Sequence, residues 1–588
     1  MTWEQGTILV IIVCTLAALM RDRWRYDIVA MTSLLVAVLL GIVPADAAFS
    51  GFSDPAVVTV VAVLVISSAV AKSGFVEYLG ARLTTITAQP FHHLAAICIV
   101  GIAISAFMNN VAALTLLLPF VLSTAKRFGY APGLVLMPLS FATLLGGMIT
   151  LIGTPANLLV SSYRFEATGS RFGMFDFLPV GLCLALVGLV YLLVTGWLIS
   201  RDSTAKYPAP KQDDEEDMFD VADYVTEARV GPAAAVAGQS VGAIEQSYGI
   251  VVVGVVRAER RVFGWLRDHV VRVGDVLLLQ GETRRLETLL NQGGLELLEN
   301  SGAASMVTTM EAVVMPNSLV LGSTPASLDL PERYNVNLLA AARQGRRFEG
   351  RLAEATLNVG DVLLLEGPPE AVRDAIKGLG CLPLAARRLN LSPRRILLPI
   401  MMFVGAIALT ALDILAPQIA FMLCAIGMIM TRAVKPAEAL SYIDLPVVIL
   451  LGAMIPLGAA LQTTGAASLI AQTVMAYTGG AGPFALLAVT LIATMALTPM
   501  LNNATTVIIM APIALSVAHD VGAAPEAFLM AVAVGASADF LTPFGHHNNT
   551  IILGPGGYRI RDYVRLGLPL SVLIIAVALT IIPFTWPF

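Results

Sequence analysis

Ser105-Ala-Phe-Met-Asn109-Asn110 recurs 393 residues later as Thr498-Pro-Met-Leu-Asn502-Asn503. Each run lies between two short apolar segments, 94–107 with 111–125 and 484–500 with 504–518. The polar centre leaves each pair too short and too interrupted for two full spans. Each pair therefore predicts a helical hairpin that enters and leaves the bilayer on one side. The same offset pairs Pro119 with Pro512 and Ala131-Pro132 with Ala524-Pro525. At an offset of 392, Gly153-Thr154-Pro155-Ala156-Asn157 faces Gly545-His546-His547-Asn548-Asn549. Asp54-Pro-Ala-Val-Val and Asp444-Leu-Pro-Val-Val open equivalent spans. These letters describe a chain whose membrane part is written twice.

The composition agrees with a membrane reading. Of 588 residues, 57% are hydrophobic and 13% charged, against about 25% charged in soluble proteins. No single water-soluble core absorbs that apolar fraction, which excludes a soluble enzyme. Spans long enough for the hydrocarbon core fall near 6–20, 27–43, 55–71, 133–163 and 177–200, then near 396–412, 416–431, 446–461, 526–553 and 566–586. The segment from Gly6 to Met20 follows Glu4 rather than a basic run, so it reads as a retained span and not a signal peptide. Between the two halves, Arg201–Arg395 holds 22 of the 36 Lys and Arg and 26 of the 41 Asp and Glu. That stretch is a soluble insert.

With the insert in the cytoplasm, the inner loops carry fourteen Lys and Arg, from Arg21 to Arg565, and the outer loops only Arg164 and Arg171. Both chain ends then lie outside, in a plasma (inner) membrane. Each half makes five crossings plus one hairpin, so the second half is inverted relative to the first. The expected fold class is an α-helical polytopic membrane protein with inverted repeats and two re-entrant helical hairpins, plus a cytosolic α/β insert. Its expected parts are residues 1–200, an acidic linker 201–217, two modules at 218–301 and 302–391, and a second membrane half 392–588. Inverted repeats with broken helices place a solute site near the bilayer midplane.

Asn109, Asn110, Asn502 and Asn503 sit within apolar sequence, where an amide is costly unless it is paired or lines a cavity. An Asn side chain offers an oxygen to a cation and an NH2 to an anion, so one residue type serves both ligands. Helices expected to begin at Val111 and Ala504 would add positive dipole ends for an anion. Ser105 and Thr498, four residues before each pair, are further oxygens for a cation. Gly153-Thr154-Pro155 and Gly545-His546 interrupt their spans and free backbone carbonyls. A cation held by hydroxyl, amide and main-chain oxygens points to a monovalent ion such as Na⁺. Asp539 lies in an apolar span whose first-half equivalent, near Gly146, is uncharged, which makes it a candidate coupling acid. His546 and His547 replace Thr154 and Pro155, and their titration range suits proton coupling. Adjacent histidines with no third ligand argue against a transition metal, and five scattered cysteines form no metal spacing. A net charge of −5 argues against a nucleic-acid partner.

These residues carry a resemblance. The tip motifs, Ile152–Leu158 and the run from Phe540 to Arg559 resemble the divalent anion/sodium symporter family (solute-carrier family 13) of the ion-transporter superfamily. The resemblance implies an elevator motion, a homodimer and no cofactor beyond Na⁺ as coupling ion. It assigns Asn109, Asn110, Val111, Asn502, Asn503, Ala504, Thr154 and His546 to the anion. To the cation it assigns Ser105, Asn109, Asn110, Gly153, Thr498, Asn502, Asn503, Gly545 and His547. In that family each tip reads Ser-Asn-Thr. Here Val111 and Ala504 stand where the family's Thr hydroxyls help hold dicarboxylates, which turns the expectation towards a smaller dianion such as sulfate.

In the insert, Gly249-Ile-Val-Val-Val-Gly-Val-Val and Gly274-Asp-Val-Leu-Leu-Leu are strand-like runs, and Gly360-Asp-Val-Leu-Leu-Leu repeats the second 86 residues on. Amphipathic helices are expected at 282–291 and 368–378. The modules resemble the RCK-C (TrkA-C) domains of potassium-channel regulators, which pair with each other and in some cases bind nucleotides or ions. No phosphate-cradling Gly-rich loop is present, so structural pairing outweighs ligand sensing. The leading expectation is Na⁺-coupled sulfate symport. The alternatives are a dicarboxylate or other anion carrier coupled to H⁺ or Na⁺/H⁺, and a membrane sensor whose modules bind a nucleotide or ion. An enzyme is not expected.

Overall fold

In the computed structural model, all residues are described except 22–23, 75–89, 129–130, 207–223, 233, 249, 258–259, 263–268, 282–294, 298–307, 316–317, 344–345, 348–354, 385–392 and 479–481. The chain divides into two compact units, Met1–Ser203 with Ala386–Phe588, and Thr204–Ala385.

The first unit is helical. Among the described residues, six helices are long and apolar enough to cross a membrane: Trp3–Met20, Pro55–Lys72, Leu178–Gly196, Leu445–Thr463, Pro483–Met500 and Ile560–Thr585. On the last helix of each half the exposed apolar residues form a single row. Leu182, Leu186, Val190 and Val194 stand on one helix, and Ile560, Val564, Leu568 and Val572 on the other. Spacing by four aligns them along one face, and an exposed apolar stripe of that length suits lipid, not water. At the centre the pattern reverses. The Gly133–Gly147 and Pro525–Ser537 helices are buried through nearly their whole lengths. Glycine permits that closeness, since a Cβ at Gly146 would strike the backbone of Ile102.

The two long apolar segments near 133–163 and 526–553 are each a broken helix. Gly133–Gly147 is followed by Pro155–Thr168, and Pro525–Ser537 by His547–Leu553. The two polar-centred runs are helix–turn–helix pairs: Pro90–Ser105 with Asn110–Phe128, and Pro483–Leu497, extended by a 3₁₀ turn at Thr498–Met500, with Asn503–Asp520. The post-tip helices start one residue before the positions expected, at Asn110 and Asn503. With its 3₁₀ turn, the first arm of the second pair reaches spanning length, which its apolar run alone did not suggest. The helices Pro436–Ser441 and Ala466–Tyr477 were not anticipated.

The second unit contains two five-stranded antiparallel sheets. The strands are β1 (Tyr224–Val230), β2 (Val251–Arg257), β3 (Arg260–Val262), β4 (Val276–Gly281) and β5 (Leu295–Leu297), then β6 (Thr308–Val314), β7 (Asn337–Arg343), β8 (Arg346–Arg347), β9 (Val362–Gly367) and β10 (Cys381–Pro383). The orders, β3-β2-β4-β1-β5 and β10-β6-β9-β7-β8, are one topology read from opposite ends. The copies share a register shift, at Val252/Gly254 and at Leu338/Ala340. They also share an ion pair in which a buried carboxylate meets a partly exposed arginine. Arg257 donates two hydrogen bonds to Asp275 (2.8 and 2.7 Å), and Arg343 two to Asp361 (both 2.8 Å). Burial raises the Asp275 carboxyl, but the Arg257 hydrogen bond and the Arg272 N–H outweigh it and bring the group below the usual carboxylate range. The helix Pro369–Gly378 lies where an amphipathic helix was expected. Its counterpart at 282–291 and the acidic segment within 201–217 fall largely outside the described residues.

Candidate functional site at the two asparagine tips

The two asparagines of each tip do different work. Asn109 Oδ1 accepts the Val111 N–H at 2.9 Å, and Asn502 Oδ1 accepts the Thr505 N–H at 2.8 Å. Both cap the helix that follows, satisfying donors that a helix start leaves open. The second asparagine is the one turned to tertiary partners. Ser105 Oγ donates to Asn110 Oδ1 at 2.8 Å, and the Asn110 amide lies so close to Gly147 that a Cβ there would overlap it. In the second half the hydroxyl points elsewhere. Thr498 Oγ1 donates to the Ala536 carbonyl at 2.8 Å, and Asn503 Oδ1 is buried without a partner.

The helix breaks repeat one wiring. Asn157 Nδ2 donates to the carbonyls of Gly147 (3.2 Å) and Thr150 (2.8 Å), and Asn549 Nδ2 to those of Asp539 (3.0 Å) and Thr542 (3.1 Å). Every partner is 392 residues from its match. A helix break orphans carbonyls, and here one buried amide gathers two of them. Thr154 caps the helix after the first break by accepting the Ala156 N–H, and His546 caps the second through Nδ1, which accepts the Asn548 N–H at 3.1 Å. That bond requires an unprotonated Nδ1. His547 is exposed. Gly153 and Gly545 are close-approach positions: an added Cβ would meet the Gly147 carbonyl at one and the Asp539 carboxylate at the other. This register makes Gly147 the counterpart of Asp539, one residue from the position expected.

Cross-ties join the halves. Asn548 Nδ2 donates to the Asn110 carbonyl (3.1 Å) and to Thr143 Oγ1 (2.8 Å). Ser140 Oγ donates to Asn549 Oδ1 at 2.7 Å, and Tyr163 Oη to the Ile508 carbonyl at 3.3 Å. The helix after each break thus packs on the helix after the opposite tip. Beside Asn109 lies a cavity of about 20 Å³, bounded by Val60, Val63, Ile152, Gly153 and Pro155, which is room for about one water-sized particle. Ser140, Thr143, Asn157, Asn548 and Asn549 were not singled out as functional from the sequence. The only available signal was the matched Asn in the two quoted break motifs. Among the described residues, no group of three or more His, Cys, Asp or Glu is placed to hold a metal ion.

The sequence matches the family described as "Citrate transporter" over residues 14–535 and 407–587. It is 30% identical to the uncharacterized transporter sll0640 of Synechocystis, over 96% of this chain and 94% of that one. It is also 30% identical to the uncharacterized transporter YfbS of Escherichia coli, over 96% of each. Sodium/sulfate cotransporter 2 of Chlamydomonas reinhardtii is 25% identical, over 62% of this chain and 44% of that protein. Broken apolar helices and polar tips in such a chain define a polytopic membrane transporter, not an enzyme. The chain belongs to the citrate transporter family of the ion-transporter superfamily.

Proposed function

We propose that this transporter carries sulfate or a similar small dianion inward by Na⁺ symport, through an elevator motion of a homodimer, in the plasma membrane with the insert cytoplasmic and both termini outside. In this reading the halves are inverted repeats, the helix–turn–helix pairs are re-entrant hairpins and the insert modules are RCK-C domains that pair. The observation that carries it is the sorting of the tip asparagines. Capping consumes the oxygens of Asn109 and Asn502, which leaves Asn110 and Asn503 as the amides that meet solute and cation. The cation draws the tip oxygens together, and without it the anion site is poor. Val111 and Ala504 supply no hydroxyl for a second carboxylate, which favours sulfate over citrate, as does the likeness to a sodium/sulfate cotransporter.

The test is labelled sulfate uptake by the full chain in proteoliposomes, with succinate, citrate, phosphate, thiosulfate and taurine as competitors, with and without a Na⁺ gradient. Na⁺-dependent uptake blocked by thiosulfate but not by citrate is expected. Citrate as the preferred solute, or flux driven by a pH gradient without Na⁺, would replace this reading with the carboxylate or proton-coupled one.

A further inference from the structure

Two cross-ties away from the tips reach the first turns of the two buried central helices. Arg164 lies on the Pro155–Thr168 helix that follows the first break, and its Nε–H donates to Glu526 Oε1 at 3.2 Å. Glu526 opens the Pro525–Ser537 helix. Tyr558 lies just past the helix after the second break, and its hydroxyl donates to the Gly133 carbonyl at 2.6 Å. Gly133 opens the Gly133–Gly147 helix. The two receiving residues, Gly133 and Glu526, are 393 positions apart, the spacing that also separates the tips. Their chemistry differs. The Arg164 and Glu526 side chains are 14% and 16% exposed. The guanidinium also donates to the Arg171 carbonyl at 3.0 Å, stands 3.7 Å from Asp176 and stacks over the rings of Phe172 and Trp586. A fork of donors on a stacked plane fixes direction in a way that a lysine does not. The Tyr558 hydroxyl accepts the Met137 N–H at 2.7 Å as well. It therefore bridges a carbonyl and an N–H that an unbroken helix pairs directly.

We propose that Arg164 and Tyr558 are positioning residues for transport, which set the depth at which the breaks of the two halves face one another. The proposal rests on the transport reading of tips and breaks, and adds to it residues that touch no solute. The Pro155–Thr168 helix packs along the Pro525–Ser537 helix. Arg164 is near the end of one and Glu526 at the start of the other, so the pair is antiparallel. Pro155 lies nine residues before Arg164, and Ser537 eleven beyond Glu526. At the helical rise, the two broken ends stand about 14 and 17 Å from the tie. The ion pair is thus a common origin from which both breaks are measured. A slip of one residue would move one break about 1.5 Å against the other, enough to misplace groups that must meet a single solute. Tyr558 likewise fixes the start of the helix whose Gly147 end receives the Asn110 amide. Stability alone does not require either tie. The helix dipole already favours Glu526 in a first turn, and the Gly133 carbonyl has a helical partner in the Met137 N–H.

The experiment uses the full chain in proteoliposomes. It compares wild type with Arg164→Lys, Arg164→Gln, Glu526→Gln, the Arg164→Gln/Glu526→Gln double variant and Tyr558→Phe. The readouts are half-saturating sulfate, maximal uptake per folded protein, and Tm. Arg164→Gln and Glu526→Gln are each expected to raise half-saturating sulfate about tenfold, with the double variant no worse than either. Arg164→Lys keeps the charge but loses the fork, and is expected to raise it about threefold, as is Tyr558→Phe. If the glutamine variants do not fold, Arg164→Lys and Tyr558→Phe decide. The first keeps the charge, and the second keeps the ring while the freed bond closes within its helix. Wild-type half-saturating sulfate in folded variants, with only Tm lowered, overturns the positioning role and leaves the transport reading standing. A wild type that takes up no sulfate overturns the sulfate reading and this proposal with it.

Discussion

The two tips share their letters and differ in their wiring. At the first, the Ser105 hydroxyl holds Asn110 Oδ1, Gly147 makes room for the amide, and Asn110 is only 3% exposed. At the second, the Thr498 hydroxyl is spent on the Ala536 carbonyl, Asn503 Oδ1 stands alone, and the counterpart of Gly147 is an unpartnered carboxylate. What the copies retain is backbone work: an asparagine cap after each tip and an asparagine clamp at each break. Orphaned backbone groups have the same need in both halves, and an asparagine meets it in each. The acceptors around the second asparagine have diverged, and the first tip is satisfied by protein while the second is left short of a donor or cation.

The comparison is most directly broken by removing the second asparagine of either tip. Asn110→Ala and Asn503→Ala are each expected to cut sulfate uptake at least about 100-fold, while gel filtration shows an elution volume unchanged from wild type. Near-normal uptake by both variants would dismiss the tips as the site. The clamps come next. Asn157→Ala and Asn549→Ala each strand two buried carbonyls, for about 2–4 kcal/mol, read as a fall in Tm. Asn549 should cost more, because it also holds the Ser140 hydroxyl. Equal and negligible losses would mean the shared wiring is incidental.

A smaller effect sharpens the difference between the tips. Gly147→Ala places a methyl against the Asn110 amide and is expected to lower uptake about tenfold by displacing that side chain. An unaffected rate would show that the Asn110 position is not critical. The smallest effect lies in the insert, where both sheets carry the same ion pair. The folded Asp275 carboxyl titrates below its unfolded value, which is about 3.9. Its stabilisation is therefore complete above that pH and is lost as the pH falls through the lower folded value. Hydrogen exchange of β4 in the full chain should lose protection below about pH 4, and Arg257→Gln should remove that step.

Much of the architecture is legible in the letters. Long apolar runs give spans because hydrocarbon demands continuous apolar length, and Gly153-Thr154-Pro155 and Gly545-His546 locate the breaks because Pro and Gly interrupt helices. The helix Ala466–Tyr477 escaped because twelve residues carrying Gln472 and Thr473 are too short and too mixed to register as a span. The clamps of Asn157 and Asn549 escaped because their partners are main-chain carbonyls, which have no letter of their own. Neighbouring identical residues were the hardest case: Asn109 and Asn110 read alike, yet one caps a helix and the other faces Ser105.

By itself the sequence determined that this is a membrane chain with two apolar stretches around a charge-rich segment, and it located both polar tips and both breaks. Those features are set by hydrophobic length and local backbone chemistry, which act between near neighbours. Only the tertiary structure decided which amide of each pair is free of capping, that Asn548 reaches the Asn110 carbonyl across the repeat, and that Asp539 takes the place of Gly147. Those depend on how helices distant in the chain pack, because a hydrogen bond forms only where packing brings donor and acceptor within reach.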